Sequence, residues 1–213
     1  MSMFFHIPLW QVVVVSIICG GLCYLAMVGA LALCDRVEAF EDGPAPSHVP
    51  IVVIPIVFGI ICGVVAARSA GLAQILMAAG LLVILAAAWA SDARRGLVFD
   101  WFTIPALVVV VIACVVFNDY NPLIWAAIVS GPFAVAAALS KGRGMGWGDV
   151  KLVAIGAAVV GLQTGIVALV AACLLVSVVA FARGKRKEPI SFAPYIAGCF
   201  SLALLFPQVG VPL

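Results

Sequence analysis

Nine acidic residues are all that a 213-residue chain of 66% hydrophobic composition carries, and three of them stand where chemistry is possible. Asp92 closes one apolar run, and Asp149 opens another after the alternating glycines Gly144, Gly146 and Gly148. Asp100 lies between them in the stretch SDARRGLVFDWF. Ionisable groups at a membrane span are costly to place and default to functional hypotheses. Two carboxylates from different helices at one membrane face are the minimum equipment for aspartic proteolysis. Like charges held close cannot both ionise easily, so one keeps its proton while the other acts as base on water. The glycines let a backbone approach closely or take positive φ, which suits an extended peptide reaching a carboxylate. A plain structural reading stands beside this one: Asp149 caps a helix, and Asp92 forms an interfacial ion pair with Arg94 or Arg95. Asp100 reads as a helix cap rather than a catalyst. Lys151 either steadies charge between the two acids or snorkels to the interface. Helix ends suggest a division of labour. Asp149 begins a helix, whose positive end favours the carboxylate, and Asp92 ends one, so Asp149 is expected as ionised base and Asp92 as protonated acid.

The elements that must hold these residues follow from the apolar runs. With 9% charged residues and a mean hydropathy of +1.31, the chain is neither a soluble enzyme nor a nucleic-acid binder. It reads as an all-α polytopic membrane protein. Spans are expected at about 11–34, 51–67, 72–90, 103–117, 123–140 and 190–206. The run 150–182 is too long for one crossing and is split at Gly161–Gly165 into two short spans, making about eight transmembrane helices. Placing the 35–50, 91–102, 141–151 and 183–189 segments inside leaves only Arg68 of the eleven basic residues outside. The positive-inside rule then puts both termini on the outer side and Asp92 and Asp149 at the cytoplasmic face. The seven cysteines lie in or beside apolar stretches without a C-x-x-C pair and read as small apolar side chains. His6 and His48 are isolated, so no metal and no cofactor is expected. A cleaved signal peptide is not expected either. Trp89, Trp101 and Trp147 read as interfacial belt residues. Gly20-Gly21 and Gly59-x-x-x-Gly63 suit close helix packing.

Three segments together resemble a known family. The stretch Gly144-Met145-Gly146-Trp147-Gly148-Asp149-Val150-Lys151-Leu152 resembles the GMGxGDxKL signature of type IV prepilin peptidases, the GxGD membrane aspartic proteases. The segment from Asp92 through Asp100 to Thr103-Ile104-Pro105 is similar to that family's first-acid motif, with Phe99 where proline is usual. Ser191-Phe192-Ala193-Pro194-Tyr195-Ile196-Ala197 resembles its F-G/A-P-x-x-A segment. The resemblance implies Asp92 and Asp149 as catalytic acids, with Gly144, Met145, Gly146, Gly148 and Lys151 as supporting motif residues. Larger bacterial members carry two C-x-x-C pairs between the first two spans, associated with N-methylation. The 35–50 loop here has none, which implies the compact, peptidase-only type.

These readings combine into a multi-pass protein of the plasma membrane. Residues 1–49 form a first helix and cytoplasmic loop, 50–206 a peptidase membrane domain, and 207–213 a short outer tail. The expected activity is removal of a basic leader from prepilin-like or preflagellin-like substrates at the cytoplasmic face, with the bilayer as the other partner and no nucleic acid. Other functions compete: a presenilin-like intramembrane protease, a proton-coupled transporter using the two acids as a relay, or a pilus-assembly scaffold. Ala-Ser rather than a tyrosine before Asp92 speaks against the first of these.

Overall fold

The computed structural model describes residues 8–36, 49–69, 71–140, 146–182 and 191–206. His6, His48, the loop acids Glu38, Glu41 and Asp42, Gly144, Met145 and the basic turn at 183–189 lie outside the described residues. Eight helices and no strand are present among the described residues. In chain order they are α1 (Leu9–Cys34), α2 (Val53–Arg68), α3 (Leu72–Arg95), α4 (Asp100–Phe117), α5 (Asn121–Leu139), α6 (Trp147–Val160), α7 (Leu162–Ala182) and α8 (Ala193–Ala203). Five of them, α1, α3, α4, α5 and α7, are long and apolar enough to cross a membrane by length and composition. At 1.5 Å per residue, α6 and α8 reach only about 21 and 17 Å, short of a hydrocarbon core of about 30 Å. The outer surface is apolar, with Ile17, Val116, Leu174 and Val178 all exposed. A surface of this kind calls for lipid rather than water around it.

The break inside 150–182 falls at Gly161, whose φ of 86° and ψ of 170° end α6 and start α7. A side chain is strained in that conformation, so glycine turns the chain where the sequence places it. Helices in lipid gain little from the hydrophobic effect and associate through close packing of small residues. α3 shows this most fully. Its buried face carries Ala86, Ala87, Ala88, Ala90, Ser91 and Ala93, and it packs against α1, α2, α4, α6 and α8. α1 and α2 meet closely too. A Cβ on Gly59 would stand 2.5 Å from the Ser16 carbonyl oxygen, and one on Gly20 3.1 Å from that of Pro55. Gly21 faces open space and takes no part in this packing.

Trp101 and Trp147 are exposed, as belt residues are, but Trp89 turns inward. Its ring meets that of Phe58 on α2 edge-on at 6.4 Å. The α3 face it sits on is core, which overrides its interfacial preference. Successive helices alternate in direction, so the end of α3 and the starts of α4, α6 and α8 gather at one end of the bundle. Arg68, at the end of α2, meets the Leu205 carbonyl after α8 at the other.

Candidate active site

Asp92 sits in the last turn of α3 and is only 6% exposed. Its backbone carbonyl accepts two hydrogen bonds, from the N–H of Gly96 at 2.7 Å and from Ser191 Oγ–H at 2.9 Å. Its side chain accepts a third: the backbone N–H of Ala193, the first residue of α8, donates to Oδ2 at 2.9 Å. A helix start leaves its first amides without intrahelical partners, and here one of them is aimed at a buried carboxyl. Neighbouring contacts brace the same turn. Arg95 Nε–H donates to the Cys34 carbonyl at 3.2 Å, tying α3 to the end of α1. The expected ion pair of Asp92 with Arg94 or Arg95 does not form, because Asp92 is turned into the bundle while Arg95 reaches α1.

Asp149 is the third residue of α6, behind the N-cap Gly146. One carboxyl oxygen, Oδ2, turns back toward the Gly146 backbone, the reach that an acidic side chain makes in a capping box. The other, Oδ1, is buried and has no hydrogen-bond partner among the described residues. The capping reading of Asp149 is therefore half right and leaves one oxygen unassigned. α3 packs against α6, and the two carboxyls are close enough for the charge of Asp149 to act on Asp92. Both acids thus face a helix start: Asp149 its own, Asp92 that of α8. Helix ends no longer distinguish them, so the expected division into base and acid loses its basis.

Gly148 explains the third glycine of the run. A Cβ there would stand 2.6 Å from Val98 Cβ and 3.3 Å from the Val98 carbonyl oxygen. Only a glycine lets the 96–99 connection lie on the start of α6. Gly146 caps α6 in extended conformation, without positive φ. Lys151 turns to the third of the acids rather than to the pair. Its Nζ forms an ion pair with Asp100 Oδ1 at 2.6 Å, linking α6 to the first turn of α4. Asp100 accordingly is not a cap: the N-cap of α4 is Phe99, and Asp100 is the first helical residue. Three residues on, Thr103 is fully buried and its hydroxyl has no hydrogen-bond partner among the described residues.

Two motif segments distant in sequence therefore meet at one end of the bundle, joined by Gly148 against Val98 and by Lys151 with Asp100. Residues 79–181 match the model of the type IV leader peptidase family. That segment, just under half of the chain, is similar to the family. The match spans both acids and Gly146, Gly148 and Lys151, and indicates a peptidase. No curated protein and no solved structure matches it. The α8 start lies beyond the matched segment, yet it supplies the amide held by Asp92. Sequence reasoning singled out Ser191–Ala197 through its resemblance to this leader peptidase family but gave it no task. Val98 and the Ala193 amide carried no signal of their own, since a backbone donor and a packing contact have no residue type to betray them.

Proposed function

We propose that this protein is a leader peptidase, an aspartic endopeptidase that uses Asp92 and Asp149 to remove the basic leader of prepilin-like or preflagellin-like substrates at the cytoplasmic membrane face. The observation that carries the reading is the pairing of a buried Asp92 with an Asp149 that keeps one buried oxygen without a hydrogen-bond partner among the described residues. A buried acceptor without a donor is costly and calls for a partner, and an attacking water supplies one. The pair holds one proton. The ionised carboxyl takes a proton from water as the oxygen attacks the scissile carbonyl carbon, and the protonated carboxyl gives its proton to the carbonyl oxygen. Collapse of the tetrahedral intermediate returns one hydroxyl proton to the ionised carboxyl as the C=O re-forms and the C–N bond breaks, and the amine leaves with a proton from the acid formed in the first step.

The same proposal takes all eight helices as membrane-embedded, with 50–206 as the peptidase domain and both termini outside. Gly144 and Met145 are taken as supporting motif residues beside Gly146, Gly148 and Lys151. The absence of C-x-x-C pairs from the 35–50 loop supports a compact type that cleaves without methylating. The test is to incubate the purified chain in detergent with a protein bearing a short basic leader followed by an apolar helix. A single cut between the two, with no methyl group added to the new N-terminus, is expected. A cut within the apolar helix would support an intramembrane protease instead, and no cut at all would overturn the reading.

A further inference from the structure

The end of the bundle away from the acids holds a cavity of about 580 Å³ between α2, α3, α4, α6 and the residues that follow α8. That volume lies in the range of small-molecule sites. Most of its wall is apolar, from residues such as Met77, Val110, Val159 and Leu204. Two charged residues of opposite sign share the lining, Arg68 at the end of α2 and Asp119 in the α4–α5 turn. They do not pair with each other; the ion pair among the described residues is that of Lys151 with Asp100. Arg68 is exposed and donates from Nη1 to the Leu205 carbonyl at 2.8 Å, which leaves other guanidinium donors. Asp119 uses Oδ1 for the N–H and the side-chain amide of Asn121, at 3.0 and 2.7 Å. Its Oδ2 is buried and has no hydrogen-bond partner among the described residues.

We infer that this cavity binds a phosphatidylethanolamine molecule, its acyl chain along the apolar wall, its phosphate on Arg68 and its ammonium on Asp119 Oδ2. Charge complementarity selects the headgroup. An anionic phospholipid without an amine satisfies Arg68 but sets negative charge beside Asp119. A phosphatidylcholine carries positive charge but has no N–H to give, so Oδ2 stays unsatisfied. Only a phosphate joined to a primary ammonium answers both residues. Arg68 is also the single basic residue that the positive-inside count leaves on this side, so no other basic residue competes for the phosphate.

Native mass spectrometry on the full chain in mild detergent tests this, with phosphatidylethanolamine, phosphatidylglycerol and phosphatidylcholine of matched chains added to delipidated protein. Phosphatidylethanolamine is expected to bind about tenfold or more tightly than either other lipid, the worth of one charge-assisted hydrogen bond. Asp119→Asn keeps an acceptor for the Asn121 amide, so the turn survives, and it should remove that preference. Arg68→Gln should weaken all three lipids. Ala113→Phe, which narrows the cavity from α4, should lower retention of every phospholipid while the melting temperature without lipid stays near that of the parent. Equal affinity for the three lipids, or a preference unchanged in Asp119→Asn, would overturn the inference.

Discussion

The two oxygens of Asp149 differ: Oδ2 reaches back to the start of its own helix, and Oδ1 is buried with no hydrogen-bond partner among the described residues. Asp92 has the reverse arrangement, fixed through its backbone by Gly96 and Ser191 and through Oδ2 by the Ala193 amide. An acid pair of this kind titrates with macroscopic pKa values that belong to both members. Below the lower value both carboxyls are protonated and no base remains; above the upper, both are ionised and no acid remains. The pH–rate profile of the chemical step should therefore be bell-shaped, and a flat profile from about pH 4 to 9 with chemistry rate-limiting would contradict a two-carboxylate mechanism. Lys151 and Asp100 belong to a different interaction. Their ion pair is partly exposed, with side-chain exposures of 27% and 58%, and such pairs contribute about 1 kcal/mol or less. Lys151→Met and Asp100→Asn should each keep most cleavage activity and lower stability by no more than about that amount. In the double variant the losses should fall short of additive. Loss of activity in Lys151→Met alone, with Asp100→Asn unaffected, would instead put Lys151 next to the acids.

At the scale of elements, the site depends on how closely the 96–99 connection lies on α6. Gly148→Ala would drive a methyl group into Val98, 2.6 Å from its Cβ. Overpacking of this kind costs about 1–3 kcal/mol. Helix content should survive while cleavage falls, because the shift separates the two acid-bearing segments. Val98→Gly in the same chain removes the obstructing carbon and should restore part of the activity; full activity in Gly148→Ala would show that this contact does not position the acids. The helices themselves were legible in the sequence. Apolar runs, the turn at Asn118–Pro122 and Gly161 fixed where they begin and end, because backbone in lipid must satisfy its hydrogen bonds within each span. Asp92 and Asp149 were legible because charge in an apolar chain is conspicuous. Their surroundings were not. Trp89 turns inward because α3 presents it to Phe58, Lys151 finds Asp100 because α4 packs beside α6, and Asp92 meets α8 because the last helix returns to the same end. Each depends on lateral packing, which hydropathy along one chain does not encode.

For the whole molecule, the alternation of helices assigns every connection to one of two ends. The acids share theirs with Cys34 and Arg36, whereas Tyr120 lies with Arg68 at the other. If the acids face the cytoplasm, a membrane-impermeant thiol reagent applied to intact cells should label Tyr120→Cys and spare Arg36→Cys. Six of the seven native cysteines are buried and the other half-buried, which keeps the background of the parent chain low; the reverse pattern would place the acids outside. The proposed mechanism rests on the end that holds the acids, where two carboxyls from separate helices must act as one unit. Members of such a unit are not additive, so losing either should cost about as much as losing both. The most direct measurement is therefore cleavage of a basic-leader substrate by purified Asp92→Asn, Asp149→Asn and the double variant, each shown to be folded by its circular dichroism. All three should fall by about a thousandfold or more and to a similar level. Substantial cleavage by either single variant, or losses that multiply in the double, would contradict the dyad.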